Sequence, residues 1–137
     1  MNPTMMRRQA GVALLEVMIA LILLGIGLLG AIGLQARSYS ALADAGQRAE
    51  ATIQADKLVA MIDNDVANIA SYALAANATP AAALAPWLAE TRALIPGAAA
   101  VVTVAQQGTR WRVDIAISWR RKQGSDTNSH RVTAYVI

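Results

Sequence analysis

Hydrophobic and polar positions divide the chain into three stretches. From Val12 to Leu34 the residues are almost continuously apolar (VALLEVMIALILLGIGLLGAIGL), 23 positions with a single charge at Glu16. As a helix rising ~1.5 Å per residue this run covers ~34 Å, enough to cross a hydrocarbon layer of ~30 Å. From Gln35 to about Asn64 the chain stays helix-favourable and free of proline. There Tyr39, Leu42, Ala49 and Ile53 recur at helical spacing, and Leu58, Ile62, Val66 and Ile69 extend the stripe, while Glu50, Asp56, Lys57 and Asp63 fall largely off it. The pattern predicts one helix of ~80 Å from Val12 to about Asn64, apolar all round at first and amphipathic later. Such a helix can pack only its distal face on its own domain; the proximal half has to be covered by a bilayer or by other subunits.

The third stretch changes period. Residues 63–79 read as a broken or second helix leading into a loop, and Asn77 and Thr79 before Pro80 suit the start of a short helix over Ala81–Leu94, carrying Leu84, Trp87, Leu88 and Leu94. Pro96-Gly97 ends it. Val101 to Val104 forms a β-branched run, and Gln106-Gln107-Gly108 reads as a hairpin turn. Arg110 to Arg120 then alternates, with Trp111, Val113, Ile115, Ile117 and Trp119 on one face and Arg110, Arg112, Asp114, Ser118 and Arg120 on the other. A polar loop from Lys122 to Ser129 precedes a returning strand from Arg131 to Ile137. Three antiparallel strands over the amphipathic helix make a small α+β domain with a thin core, so docking on the helix is essential.

Composition narrows the function. With 137 residues there is room for one domain. Charged residues are 15%, against roughly 25% in average soluble proteins, and alanine, thirty in all, dominates an apolar fraction that contains no Phe. The absence of Cys excludes disulfide frameworks, thiolate zinc sites and Cys nucleophiles. Net charge is +3, but Arg7 and Arg8 supply two of the twelve basic residues; without them ten face nine acidic ones. A nucleic-acid binder keeps a basic face, so no nucleic-acid partner is expected.

Glu16 is the anomaly. Arg7 and Arg8 precede the apolar run and only Arg37 follows within ten residues, which orients the N-terminus to the cytoplasm. A cleaved secretory signal has an apolar stretch of only ~7–15 residues, although Ala41-Leu42-Ala43 imitates its cleavage site. A plain membrane anchor is the other ordinary reading. Neither explains a carboxylate at the fifth position of the run, where mid-membrane acids cost up to ~2.5–3.5 kcal/mol.

The segment Arg7-Arg8-Gln9-Ala10-Gly11, followed by Val12-Ala13-Leu14-Leu15-Glu16, resembles the processing site of type IV pilins and type II secretion pseudopilins. The resemblance implies a pilin-like α+β fold and cleavage after Gly11 by a prepilin peptidase. It further implies N-methylation of Val12 and retention of Glu16 as the acid of the motif. Many members begin the mature chain with Phe or Met, whereas this one would begin with Val12. The layout becomes a leader (1–11), an apolar transmembrane helix (12–36), its amphipathic continuation with the following helical segment (37–77), and a short helix plus sheet (78–137). Electrostatics supports it: cleavage leaves an α-amine of pKa roughly 7.7–8, and Glu16, at i+4 from Val12, can neutralise that amine or the amine of a neighbouring subunit, fixing register.

More narrowly the chain resembles PilV-type minor pilins, in GLLGAIGLQAR, the Trp87-Leu88 helix closed by Ile95-Pro96-Gly97, and Ser118-Trp119 in a C-terminal hairpin. That implies priming of type IV pili, adhesion and twitching motility. The implied partners are prepilin peptidase, other minor pilins, the major pilin and an inner-membrane assembly platform, with the C-terminal domain periplasmic. The alternatives are a minor pseudopilin of type II secretion and an anchored periplasmic binding module that never polymerises.

Gly25, Gly27, Gly30 and Gly33 each weaken a helix by ~1 kcal/mol relative to Ala; they permit close approach, or let the stretch unwind in a fibre. His130 reads as part of a solvated turn, Asp63 and Asp65 as a solvated helix end, and Arg120-Arg121-Lys122 as a charged strand end. No enzymatic activity, metal or cofactor is expected.

Overall fold

The computed structural model describes residues 6–120 and 126–137, with side chains from residue 11. Its elements run α1 (Met6–Asp63), a 3-10 helix (Val66–Tyr72), α2 (Ala85–Leu94), β1 (Ala99–Gln107), β2 (Arg110–Trp119) and β3 (Asn128–Val136). The chain divides into two compact units between Leu42 and Ala43. The first unit is α-helical throughout its described residues. The second packs the end of α1, the 3-10 helix and α2 against a three-stranded antiparallel sheet in the order β1-β2-β3, the expected pilin-like α+β arrangement.

Local chemistry sets the boundaries. After Asp63, the Asn64 backbone N–H and side-chain amide both donate to the Ala60 carbonyl, at 3.2 and 2.7 Å, closing the last turn of the helix. α2 starts at Ala85, not Ala81, because Pro86 falls within its first turn, where its missing N–H costs nothing. In a helix begun at Ala81, Pro86 would sit in the interior and break the ladder. Asn77 therefore serves a turn rather than a helix start: its φ is +60°, a left-handed conformation that Asn tolerates, and the Ala78 N–H closes the turn on Ala75. The first hairpin turns on Gly108-Thr109, with Gly108 at φ +62°; Gln106 and Gln107 belong to β1.

The core corrects the helical stripe. Leu58, Ile62 and Ile69 are buried, but Tyr39, Leu42, Ala49 and Ile53 face outward; Tyr39 is 73% exposed. The inward face of α1 is instead Ala51, Gln54, Ala55, Leu58 and Ile62. Small side chains at 51 and 55 let neighbouring elements approach the helix backbone closely. Leu84, Trp87 and Leu88 are buried as the pattern predicts, whereas Leu94, at the last position of α2, is exposed. Val113, Ile115, Ile117 and Trp119 alternate into the core from β2.

Candidate processing and assembly site

The apolar part of α1 is a continuous helix because its Leu, Ile, Met and Ala residues are unbroken by proline and every interior N–H reaches a carbonyl four residues back. Within its own unit no described residue buries it. Val12, Leu14, Leu15, Val17, Met18 and all the large apolar side chains up to Leu34 are exposed. The helix is long and apolar enough from Gly11 onward to cross a membrane. Patches of this extent on soluble monomers mark a surface that something else occupies.

Gly11, Val12 and Glu16 lie on this helix and all three are exposed. Val12 and Glu16 are one turn apart, so their side chains share a face. Among the described side chains Glu16 has no ion-pair partner. Helical conformation continues through Gly25, Gly27, Gly30 and Gly33, and a methyl group added at any of them would meet no atom of the chain within 4 Å. Their small size therefore answers no packing demand inside this fold.

The remaining sequence-singled residues have structural roles. Asp65 is not a solvated helix end: it accepts from the Asn68 amide at 2.8 Å and from the buried Tyr72 hydroxyl at 3.0 Å, holding the 3-10 turn against the core. Burial, followed by the bond to Asp65 and its charge, raises the Tyr72 phenol above its ordinary range. Asp63 is exposed. His130 lies within β3, which begins at Asn128 rather than Arg131, and its half-buried ring pairs across from Ile117. Arg120 is exposed and donates to the Thr127 hydroxyl at 2.8 Å; residues 121–125, with Arg121, Lys122 and the first half of the polar loop, and residues 1–5 of the leader lie outside the described residues.

Two polar networks escape the sequence pattern. Buried Gln54 receives the Thr91 hydroxyl and donates to Glu50 at 3.1 Å, linking α2 to α1 beside the Lys57–Glu90 ion pair. The Lys57 hydrogen bond, aided by its charge, lowers the Glu90 carboxyl. On the outer sheet face Asp114 accepts from Thr133 at 2.6 Å and pairs with Arg112 at 3.0 Å, in a depression of about 480 Å³. The Thr133 bond, then the Arg112 bond and charge, hold the Asp114 carboxyl below its ordinary value. Among the described residues no cluster of three or more His, Asp or Glu could hold a metal.

Comparison with known proteins bears on the helix. Residues 6–32 match the prokaryotic N-terminal methylation motif, the prepilin signal of type IV pilins and pseudopilins. The match spans Gly11, Val12, Glu16 and all but the last of the four glycines. No curated protein and no solved structure matches the chain.

Proposed function

We propose that this chain is a structural subunit of a type IV pilin-like fibre, a minor pilin of the PilV type that primes or caps a pilus. Prepilin peptidase would cut after Gly11, and the new amine of Val12 would be methylated. The helix over 12–36 would then hold the subunit in the inner membrane with its N-terminus cytoplasmic and residues 43–137 in the periplasm. On assembly the same apolar surface passes from lipid to neighbouring helices, and Glu16 meets the amine of an adjacent subunit. Twitching motility and adhesion follow from the pilus this subunit would join, and no catalytic role is assigned to it. A minor pseudopilin of type II secretion would carry the same signal.

The supporting observation is the coincidence of the methylation motif with a helix whose described apolar side chains are exposed. An anchored module would explain the exposed helix but would leave Glu16 and the Gly11–Val12 junction without a use. Mass spectrometry of the protein from its native membrane is the direct test. A chain starting at methylated Val12 supports the proposal; an intact N-terminus, or one produced by cleavage after Ala43, refutes it. Co-purification with pilus rather than secretion components then separates the two fibres.

A further inference from the structure

The two edges of the sheet are treated differently. β1 is covered at mid-strand by Leu74, whose N–H and carbonyl both bond Val102 at 2.9 Å. β3 has no such cover: among the described residues no backbone group outside the sheet bonds to it. It is nine residues long, pairs with β2 one-to-one without a bulge, and contains neither Pro nor Lys. Pro, bulges, shortness and inward-pointing charges are devices by which natural edge strands discourage pairing. β3 has none of these, and with its one full charge, Arg131, on the outer face, alternate N–H and C=O groups stand in position to accept another strand.

Side chains on both faces of β3 suggest what that strand carries. On the inner face Asn128, His130, Val132 and Ala134 are only half buried, whereas Val113, Ile115 and Ile117 in β2 are at most 1% exposed. The core thus thins towards the free edge and leaves apolar surface that one more strand would cover. His130 adds a buried Nε2 without a hydrogen-bond partner. On the outer face Arg131 has no ion-pair partner among the described residues, because Asp114 is engaged by Arg112 and Thr133. Charge among the described residues of the second unit runs in the same sense: residues 99–137 hold four basic and two acidic side chains, and residues 43–98 three basic and six acidic.

We propose that β3 is a docking edge that takes up an extended acidic segment of a partner polypeptide as a fourth strand. Apolar residues of that segment would lie beside Val132 and Ala134, and a carboxylate would lie beside Arg131. This inference does not depend on cleavage or polymerisation, and its test uses the uncleaved full chain in detergent micelles.

The probe is a synthetic ten-residue peptide alternating Val with Glu and Thr, compared with the same peptide bearing Lys for Glu and with one N-methylated at alternate residues. Amide hydrogen exchange of residues 128–136 is read by NMR. Alternate β3 amides should exchange freely in the chain alone and slow about tenfold or more with the Glu peptide, but not with the N-methylated one. Arg131→Glu, an exposed change that leaves the core intact, should invert the preference to the Lys peptide, with a three- to tenfold loss for the Glu peptide. The proposal is overturned if the β3 amides are already as slow as those of β2 without peptide. Equal protection by the Glu and Lys peptides, or by none, also overturns it, as does protection that follows protein concentration rather than peptide, which would mean self-pairing.

Discussion

The indole N–H of Trp87 donates to the backbone carbonyl of Gln54 at 2.9 Å, joining α2 to α1 across 33 positions of sequence in a fully buried contact. The Thr91 hydroxyl, one turn along α2, bonds both the Trp87 carbonyl and the Gln54 side chain. α2 is thereby fixed on the helix at one spot by polar contacts that apolar packing alone would not specify. Trp87→Phe keeps most of the buried ring area but loses the donor, and should destabilise the folded unit by about 1–2 kcal/mol. Trp87→Ala should cost about 3–5 kcal/mol. Denaturant unfolding of the full chain in micelles measures both; a negligible loss for Trp87→Phe would show that the hydrogen bond contributes nothing beyond volume.

How much of this was legible in the sequence depends on which side chains carried the signal. β2 was clear because Val113, Ile115, Ile117 and Trp119 alternate with charged and small polar residues. The inward face of α1 was not. Alanine occupies every face of that helix, so Tyr39, Leu42 and Ile53 outweighed Ala51 and Ala55 and rotated the expected stripe away from the true one. The start of α2 is ambiguous in the sequence because Pro80 and Pro86 both suit a first turn, and the fold uses Pro86. The processing motif was legible because it is linear and needs no fold to bring its residues together. The acceptor role of Asp65 and the Gln54 network needed the tertiary structure, since their partners lie on later elements or turns.

Tyr72 and Asp65 offer a test of that missed network. Tyr72→Phe removes the hydroxyl that donates to Asp65 Oδ2 and should cost about 0.5–1.5 kcal/mol at neutral pH. The phenol is raised in the folded state, so its contribution is complete below its ordinary value of about 10 and disappears as pH rises through the folded value. Stability of the parent chain should therefore fall above pH 10 more steeply than that of the Phe variant. Parallel slopes in alkaline melting curves would show that the bond does not set the titration.

Asp114 predicts the opposite limb. Its carboxyl is depressed chiefly by the Thr133 hydroxyl and then by Arg112, so its contribution is present above the ordinary carboxylate value and lost as pH falls through the lower folded value. Thr133→Val should raise that folded value and weaken the acid-side slope, while costing under about 1 kcal/mol at pH 7 because the pair is partly solvated. NMR titration of Asp114 in the parent and the variant checks the direction; an unchanged midpoint would assign the depression to Arg112 alone.

Glu16 carries the assembly reading furthest. It lies one turn from Val12, exposed and without an ion pair among the described residues, so substituting it should leave helix formation and insertion unchanged. In a fibre it would face the α-amine of a neighbour, a cation below a pKa of roughly 7.7–8. Deleting one partner of a buried pair strands the other charge at a cost of about 3–5 kcal/mol, more than a hundredfold in the equilibrium for incorporation. Glu16→Ala and Glu16→Gln should therefore both be processed and membrane-bound yet nearly absent from sheared fibres. Glu16→Asp, which keeps the charge on a shorter stem, should be incorporated at an intermediate level. Quantitative immunodetection in membrane and fibre fractions reads all three variants. Incorporation of the Ala variant at the parent level would remove the carboxylate from the assembly mechanism and leave the apolar surface as the whole of it.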